Sequence, residues 1–158
     1  MSSSTDRIEK SVVLPAPRSR VWRALTDVRE FNAWFGVALT APFTPGAIIE
    51  GNFTNPGYQH VTMTVWIETV DPERAFSFRW HPNAIDTSID YSAEATTLVA
   101  FTLEDVPDGT RLVVIESGFD TLPPERRLQS FNVNGKGWES QMKRIAAYLA
   151  ADPDRAAK

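Results

Sequence analysis

Pro123-Pro-Glu-Arg-Arg-Leu-Gln-Ser-Phe-Asn-Val-Asn-Gly-Lys-Gly-Trp-Glu-Ser-Gln-Met-Lys-Arg-Ile-Ala-Ala-Tyr-Leu149 is the stretch on which the fold turns. Within it Leu128, Phe131, Gly135, Trp138, Met142, Ile145 and Leu149 recur by alternating steps of three and four. That spacing aligns one face of an α-helix. Pro123-Pro124 opens the helix, where a missing N–H costs nothing, and Asp152-Pro153 ends it. A helix of about 25 residues is about 37 Å long. One so apolar along a single stripe must lie across another layer of structure. Gly135 and Gly137 are its oddity, because each glycine inside a helix costs about 1 kcal/mol relative to alanine. The expectation is a kink or a close backbone approach that shapes a cavity mouth. The alternative is a break, with the residues before Asn134 forming a separate short helix.

Upstream the period changes. Arg7-Ile-Glu-Lys-Ser-Val-Val-Leu14 alternates as a strand and is stopped by Pro15-Ala-Pro17. Val21, Trp22, Leu25 and Val28 then mark a short helix with Pro17 at its first position, and Glu30 to Trp34 a second, closed by Phe35-Gly36. Between residues 37 and 118 the period is two. Ile48 to Phe53, then Val61, Met63, Val65 and Ile67, then Phe76, Phe78 and Trp80 read as successive strands. Asp71-Pro-Glu73 is a turn, and Pro107-Asp-Gly109 turns Val99, Phe101 and Leu103 back into Leu112, Val114 and Glu116. Residues 82–96 are polar and unperiodic, a long surface loop. Strands joined by short turns give an antiparallel sheet. The expected architecture is α+β: a curved antiparallel sheet of about seven strands, two short helices, and one long C-terminal helix packed across the sheet. No linker or repeat divides it, so residues 1–158 read as one domain with a core at about 7–150.

Composition narrows the chemistry. The chain has 158 residues, 42% of them apolar, with 16 basic and 20 acidic side chains and a net charge of −4. That balance argues against a nucleic-acid partner, which would call for a basic surplus. No apolar run is long enough to span a bilayer, and the Met1-Ser-Ser-Ser-Thr-Asp6 start has no secretory pattern. The expected place is the cytoplasm, with no membrane partner. Cysteine is absent, which removes thiol nucleophiles, disulfides and thiolate metal sites. His60 and His81 have no partner at metal-ligand spacing, and no phosphate-binding glycine loop or serine-nucleophile elbow occurs. No metal or cofactor is expected.

Taken in order, Leu14-Pro-Ala-Pro17, Val21-Trp-Arg-Ala-Leu-Thr26, Trp34-Phe-Gly36, Val70-Asp-Pro72, Phe78-Arg-Trp80, Gly109-Thr-Arg-Leu112, Glu116-Ser-Gly-Phe119 and Asn134-Gly-Lys-Gly-Trp138 carry a resemblance. From about residue 7 to 150 the chain resembles the START-like, or SRPBCC, superfamily of helix-grip folds, and within it the heat-shock-protein ATPase activator-like branch. The resemblance implies a cavity between the long helix and the sheet. Members of this superfamily share that cavity rather than a reaction.

The inward-facing candidates for its lining are Phe53, Met63, Phe78, Trp80, Phe101, Phe131, Trp138 and Met142. Flat rings with adaptable thioethers suit an apolar or aromatic ligand, and the plain alternative is that they fill a core. Glu116 shares strand parity with Leu112 and Val114, so it is the inward carboxylate; it either meets a polar ligand group, serves as acid or base, or pairs with Arg79 or Arg111. Val113 and Ile115 leave the phase open. His81 stands at the cavity rim. The first functional expectation is binding of a small hydrophobic or aromatic ligand without catalysis. The alternatives are a cyclase- or hydrolase-like enzyme acting on an aromatic or polyketide-type substrate through Glu116 or His81, and a co-chaperone-like module stimulating a chaperone ATPase. Ligand identity and oligomeric state, a homodimer included, stay open.

Overall fold

A computed structural model describes residues 6–152. The chain runs β1 (Arg7–Leu14), α1 (Arg18–Thr26), α2 (Val28–Phe35), β2 (Ile48–Asn52), β3 (Thr62–Asp71), β4 (Ala75–Trp80), β5 (Thr97–Val106), β6 (Gly109–Ser117) and α3 (Pro124–Ala150). The strands form one antiparallel sheet in the order β1-β6-β5-β4-β3-β2. Its first two strands in sequence are therefore its two edges. The expected α+β helix-grip architecture is present, with six strands rather than about seven. A further strand fails in the stretch from Val37 to Phe43, although Val37, Leu39 and Phe43 alternate and are buried. This segment makes a single bridge, Val37 to Phe53. Pro42 and Pro45 then deny it the N–H donors a ladder needs.

Each local signal has a physical counterpart. Asp27 caps α2 by accepting the Arg29 N–H at 3.0 Å, and Gly36 ends that helix in the left-handed region at φ 89°. Pro17 precedes α1 as its cap rather than occupying its first turn, whereas Pro124 does open α3. In β2, Gly51 faces backbone: a Cβ there would stand 2.1 Å from the Ala38 carbonyl oxygen, so no other residue fits. The core lies between the sheet's inner face and the three helices. Phe76, Phe78, Val99, Phe101, Leu112 and Val114 supply the sheet side, and Trp34 of α2 donates its indole N–H to the Ala24 carbonyl at 2.8 Å.

The long helix is continuous through both central glycines, so the break does not occur. Nor is there a close backbone approach, because a Cβ added at Gly135 or Gly137 meets no atom within 4 Å. The apolar stripe is buried over Trp138, Met142, Ile145 and Leu149 only. Leu128 is 58% exposed, because the first turns of α3 lie beyond the inner face of the sheet, against the turn at Phe119–Thr121. At the other end of α3 the buried Arg20 pairs with Glu30 at 2.8 Å and with Asp152, fastening α1, α2 and the end of α3 to one another. Among the described residues no helix is long and apolar enough to cross a membrane.

Candidate functional site

On the inner face, strand pairing sets Trp80 opposite Thr97 and Val99 opposite Glu116. Three polar groups on β4, β5 and β6 thus meet under α3. The helix places Asn134 and Trp138 above them, four residues apart and so on one face. All converge on the Glu116 carboxylate, which is 0% exposed. Trp80 Nε1 donates to its Oε2 at 2.7 Å and Thr97 Oγ1 donates to the same oxygen at 2.5 Å. Trp138 Nε1 donates to Oε1 at 2.8 Å, and Asn134 Nδ2 reaches Oε1 at 2.9 Å and Oε2 at 3.2 Å. No arginine takes part, so the expected pairing with Arg79 or Arg111 is absent: Arg79 bonds Glu68 and Arg111 bonds Glu104, both on the outside. Burial raises the Glu116 pKa above the usual carboxylate value, against the lowering effect of its hydrogen bonds, those from Thr97, Trp80 and Trp138 foremost. Glu116 has the inward phase that parity with Val114 suggested. It touches no cavity, because Trp80, Asn134 and Trp138 stand in front of it.

The cavity beside this network exists because β3 and β4 part company. Their pairing begins at Trp66 with Arg79, so residues 62–65 of β3 are bonded only to β2. After Trp80 the chain leaves the sheet, and residues 81–96 arch over the gap. The resulting cleft has a volume of about 730 Å³, within the range of small-molecule pockets. Phe53, Met63, Trp66, Trp80, Ile85 and Ile89 give it apolar walls; His81, Asn83, Asp90, Ser92 and Asn134 give it polar points. Asn134 lines the cleft, and with its amide nitrogen bonded to Glu116 its Oδ1 is the acceptor that the network does not use.

Arg126, from the first turns of α3, holds the arch down. Its guanidinium donates to Glu94 Oε1 at 2.9 Å, to the Pro82 carbonyl at 2.8 Å and to the Asn83 carbonyl at 3.1 Å, and it lies 4.6 Å from the centroid of the Tyr91 ring. His81 sits edge-on to Trp66 at 5.4 Å. Burial pushes its pKa down, so it is neutral at pH 7, and its Nδ1 is buried without a hydrogen-bond partner.

A smaller pit of about 140 Å³ adjoins the cleft, lined by Phe35, Phe53, Trp80 and Trp138 together with Asn134, Gly137 and Gln141. Of the residues the sequence pointed to, Phe53, Met63, Trp80 and His81 line the cleft, and Trp138 lines the pit. Phe78, Phe101 and Met142 are buried in the packed core and border neither void. Phe131 lies away from both, edge-on to Phe119 and beside a groove against β1. Sequence reasoning passed over Thr97 and Asn134 as site residues, though Thr97 shares parity with Val99 and Phe101, and Asn134 lies one helical turn before Trp138. Among the described residues, no three His, Asp or Glu side chains come together as metal ligands.

A curved antiparallel sheet gripped by a long C-terminal helix, with a cleft at its open end, defines a START-like helix-grip protein. Residues 15–150 match the family described as activator of Hsp90 ATPase homolog 1-like protein, and the chain belongs to that family. Among solved structures it resembles DynU16, a protein in the dynemicin biosynthetic locus, at 28% identity and a TM-score of 0.72. That match covers 95% of this chain but 49% of DynU16, so this chain spans about half of that relative's length. MLL2253 from Mesorhizobium loti is similar at 20% identity and TM-score 0.73, covering 92% of this chain and 98% of the other. Ms6760 from Mycobacterium smegmatis matches at 20% identity and TM-score 0.72, over 95% and 94%. No curated protein matches the sequence.

Proposed function

We propose that this protein binds a flat, largely apolar aromatic ligand in the cleft between the parted strands β3 and β4 and the arch of residues 81–96, without chemistry at Glu116. The observation that carries the reading is the commitment of Glu116. Both carboxylate oxygens are occupied by donors from Trp80, Thr97, Asn134 and Trp138, and the group is closed off from the cleft. A carboxylate so enclosed holds two indoles and an amide in fixed orientation; it does not exchange protons with a ligand. The orientation it imposes leaves the Trp80 ring as a wall and the Asn134 Oδ1 as an acceptor, which suits an aromatic ring carrying a hydroxyl or N–H. The cavity that the START-like resemblance implies, on a fold that does not by itself dictate a reaction, supports the same reading.

The direct test is isothermal titration with 2-naphthol and with 2-methoxynaphthalene, which lacks the donor. The expected result is a naphthol Kd below about 100 μM, on the scale where each tenfold is 1.4 kcal/mol. The methoxy compound should bind several-fold more weakly, the loss expected for about one hydrogen bond. No heat from either compound up to about 1 mM would overturn the reading. A second reading rests on His81, a neutral imidazole among the residues that line the cleft: a base for an aromatic or polyketide-type substrate. Turnover of such a substrate that disappears in His81→Gln, with binding retained, would favour it over binding alone.

A further inference from the structure

Gly137 occupies the middle of the longest helix, where its type is least favoured, and nothing in the fold demands it. Its backbone is not in the left-handed region, and a Cβ there would touch no atom within 4 Å. What the missing side chain provides is room. Helical Cβ atoms lean toward the N-terminus, so a side chain at 137 would lie toward Asn134 and across the mouth of the pit. That pit, at about 140 Å³, is of the size that holds a single benzene ring. Its rings pack directly on one another, with Trp80 and Trp138 centroids 5.8 Å apart and Phe35 6.1 and 6.0 Å from them, so they form an aromatic wall against which a ligand ring would lie. Gln141 is anchored at its edge by donating to the Phe35 carbonyl at 3.1 Å, which leaves its buried Oε1 without a donor. Pit and cleft share Phe53, Trp80 and Asn134 as lining.

We propose that the pit beside Gly137 is a second compartment of the ligand site, taking the terminal ring of an elongated hydroxylated aromatic whose body lies in the cleft, and that Gly137 is the residue that sets this length specificity. The inference rests on the cleft reading and adds the dimension of the ligand. Gly135 serves as the contrast: it also meets open space, but it borders the groove against β1, away from both voids.

The experiment compares 2-naphthol with 6-phenyl-2-naphthol by titration calorimetry on the wild-type chain, Gly137→Leu, Gly137→Ala and Gly135→Leu. The longer probe should bind the wild type at least tenfold more tightly than 2-naphthol. Gly137→Leu should abolish that advantage while leaving 2-naphthol affinity within about twofold, and Gly135→Leu should change neither. Gly137→Ala should raise the melting temperature by roughly 2–4 °C, the shift that a single helix glycine is worth in a chain of this size, and should erode the advantage of the longer probe in part. It decides the question if the leucine variant melts below the wild type. Undiminished binding of 6-phenyl-2-naphthol by the Gly137 variants, with 2-naphthol still bound, would overturn the pit and leave the cleft standing. Equal weakening of both probes also overturns it, since the substitution then damages the cleft itself. Failure of the wild type to bind either probe overturns both readings together.

Discussion

Replacing Glu116 by glutamine changes one oxygen into an NH2 group and nothing else in shape, so the cost can be worked from the hydrogen-bond map. If the amide nitrogen takes the place of Oε2, it confronts the Trp80 N–H, which sits 2.7 Å away. Thr97 can turn its hydroxyl to accept, but an indole N–H can only donate. If the nitrogen takes the place of Oε1, it confronts the Trp138 N–H at 2.8 Å and the Asn134 amide at 2.9 Å. Either way a buried indole donor is stranded, which costs about 1–3 kcal/mol. Protonated Glu116 avoids this, because its O–H can donate to Thr97, the one partner able to accept. The pH dependence follows from the raised pKa. A carboxyl group that holds its proton more tightly in the folded chain stabilises the fold fully below its unfolded value, near 4.3. That contribution is lost as pH rises through the folded value. Glutamine does not titrate, so the deficit of Glu116→Gln should be largest near pH 4.5 and narrower at pH 8. Urea melts of both proteins at the two pH values measure it. Equal stability at both would mean that the network does not bind the carboxylate as described. A deficit that widens toward pH 8 would mean that the four donors outweigh burial and the charged form is preferred.

Other substitutions probe other parts of the same arrangement. Trp138 is 2% exposed and packs against Phe35, Trp80 and Phe101, so Trp138→Ala should cost about 3–5 kcal/mol in denaturant melts; a loss below about 1 kcal/mol would show that the indole is not packed. Arg126→Ala removes the bonds that pin the arch, and hydrogen exchange should quicken across residues 82–94 while the sheet stays protected; unchanged exchange there would mean that the arch is held by its own turns. Gly51→Ala forces a methyl group into the Ala38 carbonyl, and a loss of at least about 3 kcal/mol, at the upper end for overpacking, should appear in the same melts; a near-neutral result would mean that the 37–39 segment yields.

The strands and helices were legible because each carries its own period. β1 was readable from its alternation over Arg7–Leu14, and the β5–β6 hairpin from Pro107-Asp-Gly109. Leu128 shows where this fails: helical spacing says which side a residue is on, and says nothing of where the sheet beneath ends. The Glu116 network was half legible. Strand parity pointed the carboxylate inward, but its partners lie 18 to 36 residues away on two other strands and a helix. No local pattern encodes which of them converge. The cleft was harder still, since it depends on β4 ending at Trp80 while β3 extends beyond their last pair. A difference between two strand lengths leaves no mark in either strand's alternation.

The sheet order has a consequence for how the chain is made. β1 leaves the ribosome before the other five strands of its sheet, yet its partner is β6, with Leu14 paired to Thr110 and Arg7 to Ser117. At about 5–20 residues per second, the roughly 100 residues between them take about 5–20 s to synthesise. Throughout that interval β1 has no native neighbour, while β2 to β5 can already pair among themselves. An orphan strand is an invitation to pair with another nascent chain. Charges at Arg7, Glu9 and Lys10 along its length are the sort of residues that keep such a strand apart until its partner arrives.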